Sequence, residues 1–189
     1  DALPILRNPN LRALTKAGYF SPDKGQPTDP RVDALYNIAE AVQTNVPFTS
    51  LGITVDKIVR HRDTNSAEFS VDVNMKDVAW TPRAEGGSGV DIGFAGASLS
   101  SRNYVLASKT EGFTLTTAWQ DEHHLQGVHG KLTMTLRIPR KTESVRIVVG
   151  TLVGSRHGAV DIYRKIIDTA PDLPARGPTL APQPAKRPP

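Results

Sequence analysis

The sequence predicts an all-β fold, an antiparallel sandwich of seven or eight strands preceded by one helix. Three observations predict it. From Phe48 onward apolar residues recur at every second position, turn-forming stretches divide these runs, and one earlier stretch, residues 29–44, repeats at helical spacing instead. Alternate side chains of a strand point to opposite faces, so each run has one face to bury and one to leave in water. Several such runs divided by turns are the pattern of two facing sheets.

The helix comes first. Asp29 is placed to cap it and Pro30 to occupy its first position, where no N–H is needed. Val32, Leu35, Tyr36, Ala39 and Val42 fall on one face, and Asn45 and Pro47 end the element. The strands follow: Leu51, Ile53 and Val55; Phe69, Val71, Val73 and Met75; Val90, Ile92 and Phe94; Phe113, Leu115, Thr117 and Trp119; Leu132, Met134, Leu136 and Ile138; Val145, Ile147 and Val149; Val160 and Ile162. Trp119, in phase with Phe113 and Leu115, is expected in the core, and Trp80, beside Pro82 at a strand end, is expected to make an exposed contact. Loops are expected at 83–89, 121–130, 139–143 and 154–158. The organisation is therefore an extended segment over 1–28, in which Leu11 to Thr15 could form a strand, a helix over 29–46 packing on an open face or end of the sandwich, an immunoglobulin-like sandwich over 47–168, and a disordered proline-rich tail over 169–189. That tail holds seven prolines and too little apolar surface to offset the entropy of ordering it. A proline-rich recognition peptide is its functional alternative.

Composition narrows the function. The chain of 189 residues has no cysteine, which removes disulfides, thiolate metal sites and cysteine nucleophiles. It begins with Asp1, as expected of a processed product or a piece of a longer protein. No apolar run reaches the roughly 18–20 residues that span a membrane. The net charge is +4, half of it in the last 19 residues, and no Lys/Arg cluster provides the basic footprint that nucleic acid requires. No cofactor motif is present: Gly86-Gly87-Ser88-Gly89 lacks the Lys-Ser/Thr ending of a P-loop, and the serines lack a nucleophile elbow. His123, His124 and His129, with Asp121 and Glu122, are the candidate metal ligands. Their spacing in a loop does not bring two ligands together as a helical i, i+4 pair would, and a polar hairpin loop is the plainer reading. Asp72 and Asn74 fall on a polar strand face.

Residues Leu11-Arg12-Ala13-Leu14-Thr15-Lys16-Ala17-Gly18-Tyr19-Phe20-Ser21-Pro22 resemble the junction of acidobacterial von Willebrand factor type A-related proteins, in which a stretch of the type R-K-G-Y-F-x-P closes the type A domain. The alanine-rich segment Asp33 to Val42 resembles the helix that follows in that family, and Val145-Arg146-Ile147-Val148-Val149 after Ile138-Pro139 resembles the last strands of its β module. The resemblance implies a secreted, surface or periplasmic bacterial protein whose companion domain binds partners, and it implies no enzymatic activity. The family's D-x-S-x-S metal motif is missing, since Asp63-Thr64-Asn65-Ser66-Ala67 fails at both serines, and no metal function carries over. The expected function is a non-catalytic interaction or assembly module, acting through edge strands and loops on a second copy or on a type A domain. Its candidate contacts are Leu11, Leu14, Tyr19, Phe20 and Trp80. Two alternatives are a structural subunit polymerised by exchange of the N-terminal strand, and a zinc-dependent hydrolase built on the His123–His129 loop.

Overall fold

The computed structural model describes residues 29–173 apart from 45, 77, 121, 126 and 155, with the backbone alone at 122 and 123. Its elements are α1 (Pro30–Ala41), β1 (Gly52–His61), β2 (Ser66–Asn74), β3 (Thr81–Pro82), β4 (Ser88–Leu99), β5 (Val105–Thr117), α2 (Glu122–Leu125), β6 (His129–Arg137), β7 (Ser144–Thr151), β8 (His157–Tyr163) and α3 (Arg164–Thr169). All strand pairs are antiparallel and form two sheets. One runs β1-β2-β6; the other runs β8-β7-β4, with β5 on the far side of β4 and the short β3 alongside the start of β4. The predicted segment Leu11–Thr15, the contacts Leu11, Leu14, Tyr19 and Phe20, and the tail from 174 lie outside the described residues.

The sheets face each other across one apolar core. Phe69, Val71 and Val73 from β2, Leu132, Met134 and Leu136 from β6, Ile92 and Phe94 from β4, and Val145, Ile147 and Val149 from β7 fill it. A bulge at Asp56 in β1 shifts the alternation, so Ile58 rather than Lys57 stands opposite Phe69. Ile167 of α3 closes the core at the end where β8 leaves the sheet.

The second sheet is covered on both faces, which plain alternation does not predict. Its outer side carries Ala95, Ala97 and Leu99 of β4 and Val148 of β7, and α1 lies on them through Ile38, Ala41 and Val42. The buried face of the helix is rotated from the predicted one: Val42 is buried and Leu35 and Ala39 are half-buried as expected, but Val32 and Tyr36 are exposed and Ile38 is fully buried. The reason is a seat of glycines. Gly112, Gly93 and Gly150 stand side by side in three neighbouring strands. A Cβ on Gly93 would come 2.4 Å from Ile38 Cδ1, and one on Gly150 would come 2.9 Å from the same atom. Side chains at Gly93 or Gly150 would lift the helix off the sheet, whereas a Cβ on Gly112 would meet nothing within 4 Å.

Arg146 secures the helix exit. It is 2% exposed on the helix side of β7, pairs with Asp161 at 3.1 Å, and donates through Nη2 to the Val46 carbonyl beyond α1. Two outer edges are also capped. Residues 48–51 hydrogen-bond to β8, with Leu51 N donating to the His157 carbonyl and Ala159 N to the Phe48 carbonyl. Residues 171–173 run parallel to β1 beside Arg60, where Asp172 meets Arg60 and Arg62 at 2.9 and 2.8 Å. The ordered chain therefore continues past the boundary predicted at 168, because paired arginines hold a segment with little apolar surface of its own.

Candidate interaction surface

Antiparallel pairing brings three connections to one end of the sandwich: 75–87 between β2 and β4, 118–128 between β5 and β6, and 152–156 between β7 and β8. The first two meet. Gly87, at φ +75°, approaches Thr117 so closely that a Cβ would lie 2.0 Å from the Thr117 carbonyl oxygen, and Gln120 Nε2 donates to the Gly87 carbonyl. Only glycine fits that turn. The loop tips read at 83–89 and 121–130 thus share one surface, although Ser88 and Gly89 already belong to β4 and His129 and Gly130 to β6.

The two tryptophans exchange the roles expected of them. Trp119 is 52% exposed, because β5 ends at Thr117 and the chain turns, Trp119 N donating to Thr117 Oγ1, before the alternation reaches it. Its indole stacks on His124 of α2 with ring centroids 4.3 Å apart and planes 8° from parallel. Trp80 instead packs against the main core, with Nε1 enclosed and without a partner among the described residues. The apolar sandwich interior reaches it through the 75–80 connection.

The candidate metal ligands part company. His129 Nδ1 lies 2.6 Å from Asp72 Oδ1 across the β2–β6 pair, His124 stacks on Trp119, and the His123 side chain lies outside the described set. Among the described residues no three His, Asp or Glu side chains converge as a metal site.

Beside this loop end, between the start of α1 and the β3–β4 corner, lies a groove of about 370 Å³. Arg31 and Arg83 flank it, and Ala79, Pro82 and Val153 contribute apolar surface. Arg31 Nη2 pairs with Asp91 Oδ2 at 3.0 Å, while Asp91 Oδ1 accepts from Thr114 Oγ1 at 2.7 Å. Sequence reading missed this cluster, since Arg31, Arg83, Asp91 and Thr114 come from four elements or connections with no shared spacing.

The edges differ in character. On β5, Lys109 and Glu111 stand opposite Gly96 and Phe94, on the sandwich side of the strand, and pair with each other at 2.7 Å. Inward-pointing charges on an edge strand oppose the addition of another strand. Their exposure follows from sheet size, because β5 overhangs a facing sheet of three strands.

Comparison with known proteins adds no relative: no protein-family model matches the chain, and no curated protein does.

Proposed function

We propose that this chain is a non-catalytic protein-interaction module, of a secreted or cell-surface protein, that binds through its loop end. The observation that carries the reading is Trp119, half exposed at the junction of two loops and held by the His124 stack. Tryptophan and arginine are the residues that most often dominate binding energy at interfaces, and a pre-stacked ring loses little freedom on contact. The strand order supports the same reading. With β3 set aside, β1-β2-β6 facing β8-β7-β4-β5 follows immunoglobulin-type pairing, β5 standing where the variable type adds a strand. The three connections gathered here then correspond to the end that variable domains use for binding.

The junction resemblance of residues 11–22 makes a type A domain the first heterologous partner to test, and a second copy the first homologous one. The test is sedimentation velocity of the chain alone and mixed with a type A domain, at micromolar concentration. Wild type should show added mass in one of the two samples. Trp119→Ala should lose it, and Tyr104→Ala, a more exposed aromatic between β4 and β5 at the opposite end, should keep it. Association unaffected by Trp119→Ala, or no association in either sample, would refute this reading.

A further inference from the structure

We infer that the groove flanked by Arg31 and Arg83 is a binding site for a carboxylate carried on an apolar body. The proposal goes beyond the loop-end reading and stands on different residues, since Trp119 does not line the groove.

The charge arrangement comes first. Among the described residues, two guanidiniums line the groove against one carboxylate, Asp91. That carboxylate is already engaged on both oxygens, by Arg31 at 3.0 Å and by Thr114 at 2.7 Å. Asp91 therefore acts as an orienting group: it fixes the Arg31 guanidinium from beneath, and its own charge is met. A guanidinium has five N–H donors in a planar fork, and the Asp91 ion pair engages Nη2. Arg83 is held differently. Its stem lies across Gly89, where a Cβ would come 3.2 Å from Cδ and 3.5 Å from Nη1. It pairs with Glu85, 3.5 Å away and 82% exposed, a contact that water and salt readily replace. An incoming carboxylate exchanges that loose contact for a closer one, with the forked geometry for which arginine is suited.

The shape supplies the second half of the ligand. Ala79, Pro82 and Val153 offer apolar surface next to the two cations, and Val153 is 69% exposed before anything binds. A volume of about 370 Å³ falls at the lower end of small-ligand sites and accepts one branched or aromatic group beside the carboxylate. Three sources carry that chemistry: a free organic acid, the C-terminus of a peptide ending in an apolar residue, and a Glu or Asp side chain flanked by one.

The experiment is a proton–nitrogen NMR titration with 4-methylpentanoate, and with 4-methylpentanamide as the uncharged match. The carboxylate should shift the amides of Gly89, Val90 and Thr114 saturably, with a dissociation constant in the millimolar range expected of so small a ligand. The amide should bind at least about tenfold more weakly, as should the carboxylate on Arg83→Gln protein, the loss expected for a charged hydrogen-bonding partner. Gly89→Ala, which keeps both charges and displaces the Arg83 stem, should weaken binding as well. Arg31 and Arg83 have side chains 67% and 34% exposed, so these changes leave the core intact. Tripeptides ending in leucine, with a free or an amidated C-terminus, and with or without an internal glutamate, then separate the peptide sources from the free acid. No saturable shift with the carboxylate, equal shifts with the amide, or unchanged affinity in Arg83→Gln would each overturn the proposal. The same titration on Trp119→Ala protein should be unchanged, which keeps a failure here distinct from a failure of the loop-end reading.

Discussion

Gly93→Ala tests how α1 is seated. The new Cβ would stand 2.4 Å from Ile38 Cδ1, where ordinary contact begins near 3.4 Å, so about 1 Å of overlap must be relieved. Ile38 cannot simply rotate away. Leu35 Cδ1 and Leu152 Cδ2 lie 3.1 and 3.3 Å from the same Cβ position, and Ile38 Cδ1 is also only 2.9 Å from where a Cβ on Gly150 would stand. Overpacking of this kind costs about 1–3 kcal/mol. The loss of backbone freedom in the unfolded chain returns about 0.4–1 kcal/mol. The net expectation is a destabilisation of about 0–2.6 kcal/mol, read from equilibrium urea unfolding followed by circular dichroism. Ile38→Val alone removes the clashing Cδ1 atom and should cost about 0.5–1.5 kcal/mol. In the double variant the alanine methyl occupies the space that Cδ1 leaves, so the double should be no worse than Ile38→Val, with a coupling of about 1 kcal/mol or more. Gly112→Ala is the control, from the same row of glycines but with nothing within 4 Å of its Cβ position, and should be neutral or slightly stabilising. Additivity of Gly93→Ala and Ile38→Val within about 0.5 kcal/mol would refute the seat.

Other outcomes follow from the same coordinates. Arg146→Met keeps a stem beneath the helix exit and loses the charge, whereas Arg146→Ala also opens a void; the alanine variant should be less stable than the methionine variant by about 2–5 kcal/mol in the same unfolding assay. Equal stabilities would show that the Asp161 ion pair, not the packed stem, holds the segment. Desolvation raises the Asp172 carboxyl, but the hydrogen bonds and charges of Arg60 and Arg62 overcome it and hold the group below its ordinary value. The stabilisation this gives the 171–173 segment is present above an unfolded pKa of about 3.9 and is lost as pH falls through the lower folded value. A carbon-13 titration should place the Asp172 midpoint below that of the free residue, and Arg60→Gln with Arg62→Gln should raise it; a midpoint indifferent to both changes would contradict the assignment.

Much of the sandwich was legible because burial leaves a period of two in the residues that fill it, and Phe69-Val71-Val73 and Leu132-Met134-Leu136 alternate without a break. What escaped has physical causes. The outer face of β4 is Gly93, Ala95 and Ala97, residues too small to register as an apolar face, although it is their smallness that admits a helix. In α1, Val32 and Tyr36 match helical spacing as well as Ile38 does, and only contact with the sheet decides which of them is buried. Trp119 continues the phase of Phe113 past the point where the strand itself stops. α3 begins at Arg164, and Tyr163 before it gives no side-chain cap, so nothing local announces it. At the loop end, glycines and polar residues marked both tips in advance, but that they meet depends on a single close approach of Gly87 to Thr117. The groove depends on a long-range pairing of Arg31 with Asp91 across sixty positions of sequence, which no spacing reveals.

The buried Arg146 has a practical consequence for where the folding unit begins. A fragment cut at the helix–strand transition, near residue 47, would retain every described strand yet bare a strip of alanine, glycine and valine with a cation in its midst. Such a surface is flat, sticky and locally charged, and it would drive clumping in a cell or a test tube. Proteolysis, splicing or cloning that respects this architecture must leave the residues from Asp29 onward attached.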